Sequence, residues 1–362
     1  MKIVFKDSEL SKGIIKISLD GGFTFTDYEI TDVKETGIPL DDSQDYEKIK
    51  IKGPANVLKN LDVLKSIEIP ESITTTDGIF TYDLDKSTKF PYFINSITMP
   101  EGLTTIISSA FRDFLNLTSI DLPESLTTIG DDAFQFCKSL TSITIPDSVT
   151  FIGRYAFQSC TSLTSVIISS SVTSISSYTF TGCTSLTSIT IPDGVTSIGQ
   201  YAFENCSNLT SIELPESLTS IGDNTFKDCK SLTSITIPDS VTSISSNTFQ
   251  SCTNLTSIEL PESLTSIGQY AFENCSNLTS IGLPESLTSI SYGAFSGCTS
   301  LTSITIPEGV TSIGDYAFKN CTSLKTINFK GTEDQWDAIQ KGDNWNSNCH
   351  SDMVINFDYQ GE

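Results

Sequence analysis

The stretch LTSITIPDGVTSIGQYAFENCSN, residues 186–208, decides the fold. Ile189 and Ile191 stand two apart, so both point to one side of an extended segment while Ser188 and Thr190 point to the other. Pro192 then ends the strand, because a residue without an N–H cannot donate to a ladder. Val195 and Ile198 turn inward on the next side, and Gly199 follows at a bend. Ala202, Phe203 and Cys206 fall at three-to-four spacing, which predicts a short turn of helix closing the coil. The segment reads as one coil of a solenoid, apolar within and polar without.

Outward from this segment the pattern recurs every 23 residues. Eight such intervals link Cys137, Cys160, Cys183, Cys206, Cys229, Cys252, Cys275, Cys298 and Cys321. Phe111, Phe134, Phe157, Phe180, Phe203, Phe226, Phe249, Phe272, Phe295 and Phe318 keep the same step. A single globular core imposes no such period, whereas stacked coils with equivalent residues in ladders do. Departures are few. Ser replaces the bend glycine in some units, Ser169 replaces the proline, and Phe114 stands where a cysteine is expected. From Ile67 to Ile97 the interval is 30 residues, which predicts a loop on one face around Asp83 to Pro91.

The pattern L-x-x-I-x-[LI]-P-x-x-[LV]-x-x-I-[GS]-x-x-[AT]-F-x-x-C resembles the BspA-type leucine-rich repeat of bacterial and protist surface proteins, over about residues 64 to 329. The tail from Phe329 through Trp336 to Asn346 resembles the segment that closes such arrays. A closing segment is needed, since a last coil would otherwise expose an apolar cross-section and an open strand edge. The fold class expected is a β-rich leucine-rich-repeat solenoid, a curved parallel sheet with short helical turns. Its parts are a β-rich anchoring or capping module at 1–63, the solenoid at 64–329 and a C-terminal cap at 330–362.

Composition narrows the chemistry. The chain of 362 residues carries 44 acidic and 21 basic side chains, a net charge of −23, and one histidine. From Leu117 to Leu324, 18 acidic residues face 5 basic ones. Phosphate-rich ligands and anionic membranes need clustered Lys and Arg, so no nucleic acid partner and no direct membrane insertion are expected. His350 alone cannot supply the usual acid–base and triad chemistry. There is no Gly-rich phosphate loop and no nucleophile elbow, and no enzyme activity or cofactor is expected.

The cysteine ladder follows phenylalanine at fixed offset and reads as buried structural thiols, mostly free. Zinc sites want ligands two to four residues apart, which the 23-residue step does not provide. Cys349-His350 reads as a surface or cap feature, and no metal site is expected. Asp147, Asp193, Glu216, Asp239 and Glu262 recur at one offset, the mark of a solvated bend. Asn208-Leu-Thr210 and Asn254-Leu-Thr256 arise from the repeat itself.

The outward side of the main strand is the candidate binding face. One row is Ser119, Ser142, Ser165, Ser188, Ser211, Ser234, Ser257, Ser280 and Ser303. The next row varies: Asp121, Thr144, Ile167, Thr190, Glu213, Thr236, Glu259, Gly282 and Thr305. Short hydroxyl side chains also simply tolerate crowding on a sheet, and neither row carries an aromatic anchor. Tyr155, Tyr178, Tyr201, Tyr270, Tyr292 and Tyr316 sit just before the Ala/Thr-Phe pair, on another side.

Residues 1 to 63 depart from the repeat. Ile14 to Leu19 and Phe23 to Tyr28 alternate around Asp20-Gly21-Gly22, which predicts a hairpin; Lys48 to Gly53 predicts a third strand and Asn56 to Leu64 a short helix. The start lacks the apolar stretch of a signal peptide. Removal of a leader, a signal-less protist protein, or export within a phage particle would each account for this. Ser18 to Gly22 and Gln44 to Tyr46 resemble small anchoring domains of phage structural proteins.

Together with the family resemblance, these readings predict a non-enzymatic recognition or attachment protein, extracellular or at a cell surface, whose solenoid meets a host or cell-surface protein or glycan. The alternative is a virion component, a phage fibre or decoration protein, docked or self-associated through residues 1–63.

Overall fold

The computed structural model describes residues 94–359 throughout and, ahead of them, the backbone of five strands. The chain divides into two compact units, Met1–Ser171 and Val172–Glu362.

The first unit opens with β1 (Ile3–Phe5), β2 (Gly13–Ser18), β3 (Thr26–Ile30), β4 (Lys50–Lys52) and β5 (Leu64–Glu68). The hairpin predicted by the alternation around Asp20 is β2 with β3, antiparallel, with Ile15 opposite Tyr28. On the other side of β2 lies β4, Ile51 opposite Ile17, as the third strand. β1 runs antiparallel to β5, and β5 runs parallel to β6 (Ser96–Thr98) with Ile67 opposite Ile97. The 30-residue step therefore still lands one coil on the next. The loop expected around Asp83 to Pro91 lies outside the described residues. So does the helix expected from Asn56, except for Leu64, which begins β5.

From Ser96 onward the units are built of coils, most of them with two short parallel strands. In the first unit Ser165–Ile167 lies against Ser142–Thr144, Val166 opposite Ile143. On the second side, Phe151–Ile152, Thr128–Ile129 and Thr105–Ile106 pair in the same manner. In the second unit Ser211–Glu213 pairs with Ser188–Thr190, and Ser257–Glu259 with Ser234–Thr236. Every one of these pairings is offset by 23 residues, so each side chain meets its own equivalent. Period-two alternation sets the burial: Ile189 is buried between exposed Ser188 and Thr190. Pro192 ends the strand as expected and opens a turn, its carbonyl accepting from Val195 N–H at 3.0 Å.

At the third side the structure departs from the sequence reading. The expected turn of helix is replaced by a run in which alternate amides face different ways. Tyr201, Phe203 and Asn205 donate to the carbonyls of Asp223, Thr225 and Lys227 in the next coil, at 2.9, 2.9 and 2.8 Å. Ala202, Glu204 and Cys206 donate back three residues, to Gly199, Tyr201 and Phe203. An α-helix would direct every amide to the carbonyl four residues back and leave none for the neighbouring coil. Leaving the helix requires left-handed backbone at two positions per coil, with φ of 58° at Tyr201 and 57° at Asn205. The α-helix among the described residues is α1 (Glu333–Ala338), opened by a capping box between Thr332 and Gln335.

The core is a set of ladders. In the second unit Phe180, Phe203, Phe226, Phe249, Phe272, Phe295 and Phe318 stack with centroids 5.4–5.7 Å apart, all fully buried. Rings this far apart and nearly parallel are offset, the arrangement their quadrupoles favour. The cysteines follow: Cys206 Sγ donates to the Phe180 carbonyl at 3.2 Å and Cys229 Sγ to that of Phe203 at 3.2 Å. Phe114, which replaces a cysteine, is buried edge-on against Phe111 at 5.6 Å. Ser169, which replaces a proline, is buried and donates its hydroxyl to the Val149 carbonyl at 2.7 Å.

The segment expected as a closing cap is itself built as a coil. Gln340–Lys341 pairs parallel with Ser312–Ile313, and Val354–Asn356 with Thr326–Asn328. Asn344 and Asn348 take the two left-handed positions, and Cys349 Sγ donates to the Phe318 carbonyl at 3.1 Å. Cys349 stands 28 residues after Cys321 instead of 23, and α1 lies within that longer interval.

Candidate functional site

The site builds up from the main strand of each coil. In the first unit Ser142 lies opposite Ser165 and Thr144 opposite Ile167, and all four are exposed. Ser119 and Asp121, also exposed, hold the corresponding positions one coil earlier, outside any strand. Ile167 is 60% exposed, unusual for its size, and Phe151 on the second side of the coil is 48% exposed.

In the second unit Ser188 pairs with Ser211 and Thr190 with Glu213; Ser234 pairs with Ser257 and Thr236 with Glu259. All eight are exposed. The Thr236 hydroxyl donates to the Glu259 carboxylate at 3.0 Å, so neighbouring coils communicate across the outer row. Ser303 is exposed, whereas Thr305 is half-buried between Gly282 and Asn328, its partners on either side. Gly282 leaves open space above the sheet where the other coils place a side chain.

Sequence reasoning missed the row that ties neighbouring coils along this face. One residue before most of these serines stands a threonine whose hydroxyl donates to the carbonyl at the equivalent position one coil earlier. Thr141 reaches Thr118 at 3.2 Å, Thr164 reaches Thr141 at 3.0 Å, and Thr210 reaches Thr187 at 3.0 Å. Thr256 and Thr279 repeat the contact. A second row does the same on the other strand, as Thr219 to Thr196 at 3.0 Å. The 23-residue recurrence of Thr was the available signal. Thr210 thus has a structural partner of its own, as the repeat-born origin of Asn208-Leu-Thr210 implies.

At the bends, acidic side chains tie one coil to the next. The Asp147 carboxylate accepts both the backbone N–H and the hydroxyl of Ser170, at 3.1 and 3.0 Å, which holds it below the usual carboxylate range. Ser217 and Ser263, which follow Pro-Glu, donate to the carbonyls of Asp193 and Asp239. The thiols carry the opposite perturbation, because burial pushes Cys206 and Cys298 up to about 12. Such groups stay protonated at neutral pH and act as donors to carbonyls, not as nucleophiles. Among the described residues no group of three or more His, Cys, Asp or Glu could hold a metal ion.

The comparisons with known proteins agree with this architecture. A family model described as a BspA type leucine rich repeat region matches at residues 85–207, 173–299 and 242–341. A leucine-rich cell surface protein from Faecalibacterium prausnitzii A2-165 is 26% identical over 98% of this chain and 96% of its own, with a TM-score of 0.51. A leucine-rich repeat protein from Eubacterium ventriosum ATCC 27560 is 22% identical over 86% of this chain and 92% of its own, with a TM-score of 0.52. Another from Bacteroides ovatus ATCC 8483 is 24% identical over 87% and 96%, with a TM-score of 0.49. No curated protein matches the chain.

Proposed function

The chain belongs to the BspA-type leucine-rich-repeat family, and from that premise we propose that it is a non-enzymatic recognition or attachment protein whose strand face binds a host or cell-surface protein or glycan. The observation that carries the reading is the in-register display of the serine row beside the variable row, Ser188–Ser211 with Thr190–Glu213 and Ser234–Ser257 with Thr236–Glu259. Backbone ladders and threonine hydroxyls hold these side chains before any ligand arrives, so little ordering cost remains at binding. Asp121, Ile167, Glu213 and Glu259 break the uniformity of the rows and supply the specificity. The end-to-end likeness to a leucine-rich cell surface protein supports display outside the cell. Among the described residues no helix is long and apolar enough to cross a membrane.

The test is binding of the full chain to immobilised cell-surface extract and to a glycan array, beside two face variants. These are Ser142→Lys with Ser165→Lys, and Ser188→Lys with Ser211→Lys. Loss of capture by either pair, with an unchanged unfolding midpoint, supports the strand face. Undiminished capture by both pairs sinks it.

One observation favours a second reading. β2, β3 and β4 form an antiparallel sheet of their own, pairing with none of the parallel strands of the coils. In that reading residues 1–63 seat the protein on a larger assembly such as a phage particle, and co-sedimentation of the full chain with purified particles is its test.

A further inference from the structure

In the unit Val172–Glu362 the turn segment of the coils carries tyrosines, about half a coil away from the serine row. Tyr178 and Tyr201 stack with centroids 4.6 Å apart. Three coils on, Tyr270, Tyr292 and Tyr316 meet edge to face, at 5.1 and 5.4 Å, and all three are half-buried. Tyr270 and Tyr316 hold left-handed backbone, with φ of 55° and 57°. In equivalent coils Asn224, Asn247 and Gly293 occupy that conformation. Asn and Gly adopt it at little cost, whereas a ring-bearing residue does so under strain. The coils of Asn224 and Asn247 keep the same hydrogen bonds to their neighbours, so closing a coil does not require the ring.

What the rings attract is visible in the chain's own side chains. Lys319 Nζ lies 4.7 Å from the centre of the Tyr316 ring, and in the other unit the Arg154 guanidinium lies 5.5 Å from that of Tyr155. The surroundings reinforce the preference. Glu273 and Asp315 lie in the same turn segments, and between Val172 and Leu324 13 carboxylates face 3 lysines. Aromatic faces beside unneutralised carboxylates favour cations over anions or neutral partners.

We propose that Tyr270, Tyr292 and Tyr316, with Glu273 and Asp315, form a docking surface for a lysine- or arginine-rich segment of a partner protein. This surface is separate from the strand face and stands or falls apart from it. Cationic side chains of the partner lie over the rings as Lys319 does, and the carboxylates pair with the remaining charge.

The test is fluorescence anisotropy of a labelled hexa-arginine peptide titrated with the full chain. Tyr270→Asn with Tyr316→Asn copies the residue that equivalent coils use, so folding is retained and the thermal midpoint holds or rises. The pair should weaken peptide binding about tenfold, the sum of two exposed cation–π contacts and their packing. Lys319→Ala should strengthen it by removing the internal competitor. Glu213→Gln with Glu259→Gln, on the strand face, should leave the tyrosine-dependent part intact. Equal affinity of the tyrosine pair and the parent overturns the proposal, as does absence of peptide binding. Binding of cellohexaose that is lost in the tyrosine pair, without a matching loss for the peptide, overturns it in favour of a glycan surface.

Discussion

The Trp345 indole meets the Phe318 ring edge-on, with centroids 6.2 Å apart and planes at 81°, whereas Phe295 and Phe318 lie flat on one another at 5.4 Å and 8°. The tryptophan takes the position that Ala317 holds one coil earlier, since Phe318 N–H donates to its carbonyl at 2.6 Å as Phe295 N–H donates to that of Ala317. Trp336, on α1, then packs against both Trp345 and Phe329, at 6.0 and 5.3 Å. A ladder of like rings has no natural end, and two larger rings turned across it close the apolar column.

Trp336→Ala should therefore cost about 3–5 kcal/mol, the range for deleting a buried aromatic. The loss should fall on the last coils first. Hydrogen exchange should quicken at Thr326–Phe329 more than at Ser188–Thr190, and equal acceleration at both would show that α1 does not act as a local closure.

Phe203 lies between Phe180 and Phe226, at 5.5 and 5.7 Å, with no exposed surface. Phe203→Ala should cost about 3–5 kcal/mol in denaturant unfolding, because neighbouring coils held by backbone bonds cannot collapse into the void. A near-neutral result would mean the coil interior relaxes freely.

The nine buried thiols make the fold sensitive to alkali. Burial raises Cys137, Cys160, Cys206, Cys229, Cys252, Cys275, Cys298 and Cys321, to about 12 at Cys206 and Cys298, while an unfolded thiol titrates near its ordinary value of about 8.5. Above that value the unfolded chain holds fewer protons than the folded one, so stability falls as pH rises, by about 1.4 kcal/mol per pH unit for each thiol until its folded pKa is reached. Thermal midpoints should drop steeply above about pH 9. Iodoacetamide should label the thiols of the repeats only after unfolding.

Ser251 has φ of 61° where Asn205, Asn274 and Asn320 stand in other coils. Ser251→Asn should stabilise by about 0.5–1 kcal/mol, since Asn tolerates left-handed backbone better. Gly297→Ala should do the reverse: at φ of 74° an added Cβ would run into Asn274 Oδ1. Thermal melts of the two variants should move in opposite directions.

Two carboxylates should bend the acid limb in opposite senses. Asp147 is lowered by its bonds from Ser170, so its contribution is present above the unfolded value and disappears as pH falls through the folded one. Glu204 is raised by desolvation against the help of Lys227, so the folded state favours its proton and stability declines as pH rises through the carboxylate range. Asp147→Asn should lower the melting midpoint at neutral pH and flatten its fall in acid. Glu204→Gln should raise the midpoint near neutrality relative to acid, because the desolvation it removes outweighs the ion pair with Lys227.

Legibility in the sequence followed the strength of the constraint. Ile189 and Ile191 could face only one interior, and the 23-residue recurrence of Cys206 and Phe203 admitted only stacked coils. The helix-like spacing of Ala202, Phe203 and Cys206 misled, because a run of i→i−3 turns with left-handed residues buries the same positions. The clue was Asn, Gly and Tyr sharing one offset, at Asn224, Gly293 and Tyr270. Cys349 was hidden by the 28-residue step that accommodates α1. The candidate face was legible as an outward row, yet Thr210 and its equivalents went unread, since periodic threonine resembles surface filler until its hydroxyl is seen on a carbonyl.

By itself the sequence determined that the chain winds into coils, which residues line the interior, and which rows of serine, threonine and glutamate turn outward. Alternation and period follow from the geometry of a strand and from the need to bury like against like, and both act locally. Only the tertiary structure decided where each amide and hydroxyl donates, that Tyr270 and Tyr316 sit on left-handed backbone, and that Trp345 and Trp336 close the ring column. Those outcomes depend on how one coil meets the next, and a hydrogen bond has no direction until both partners have been placed.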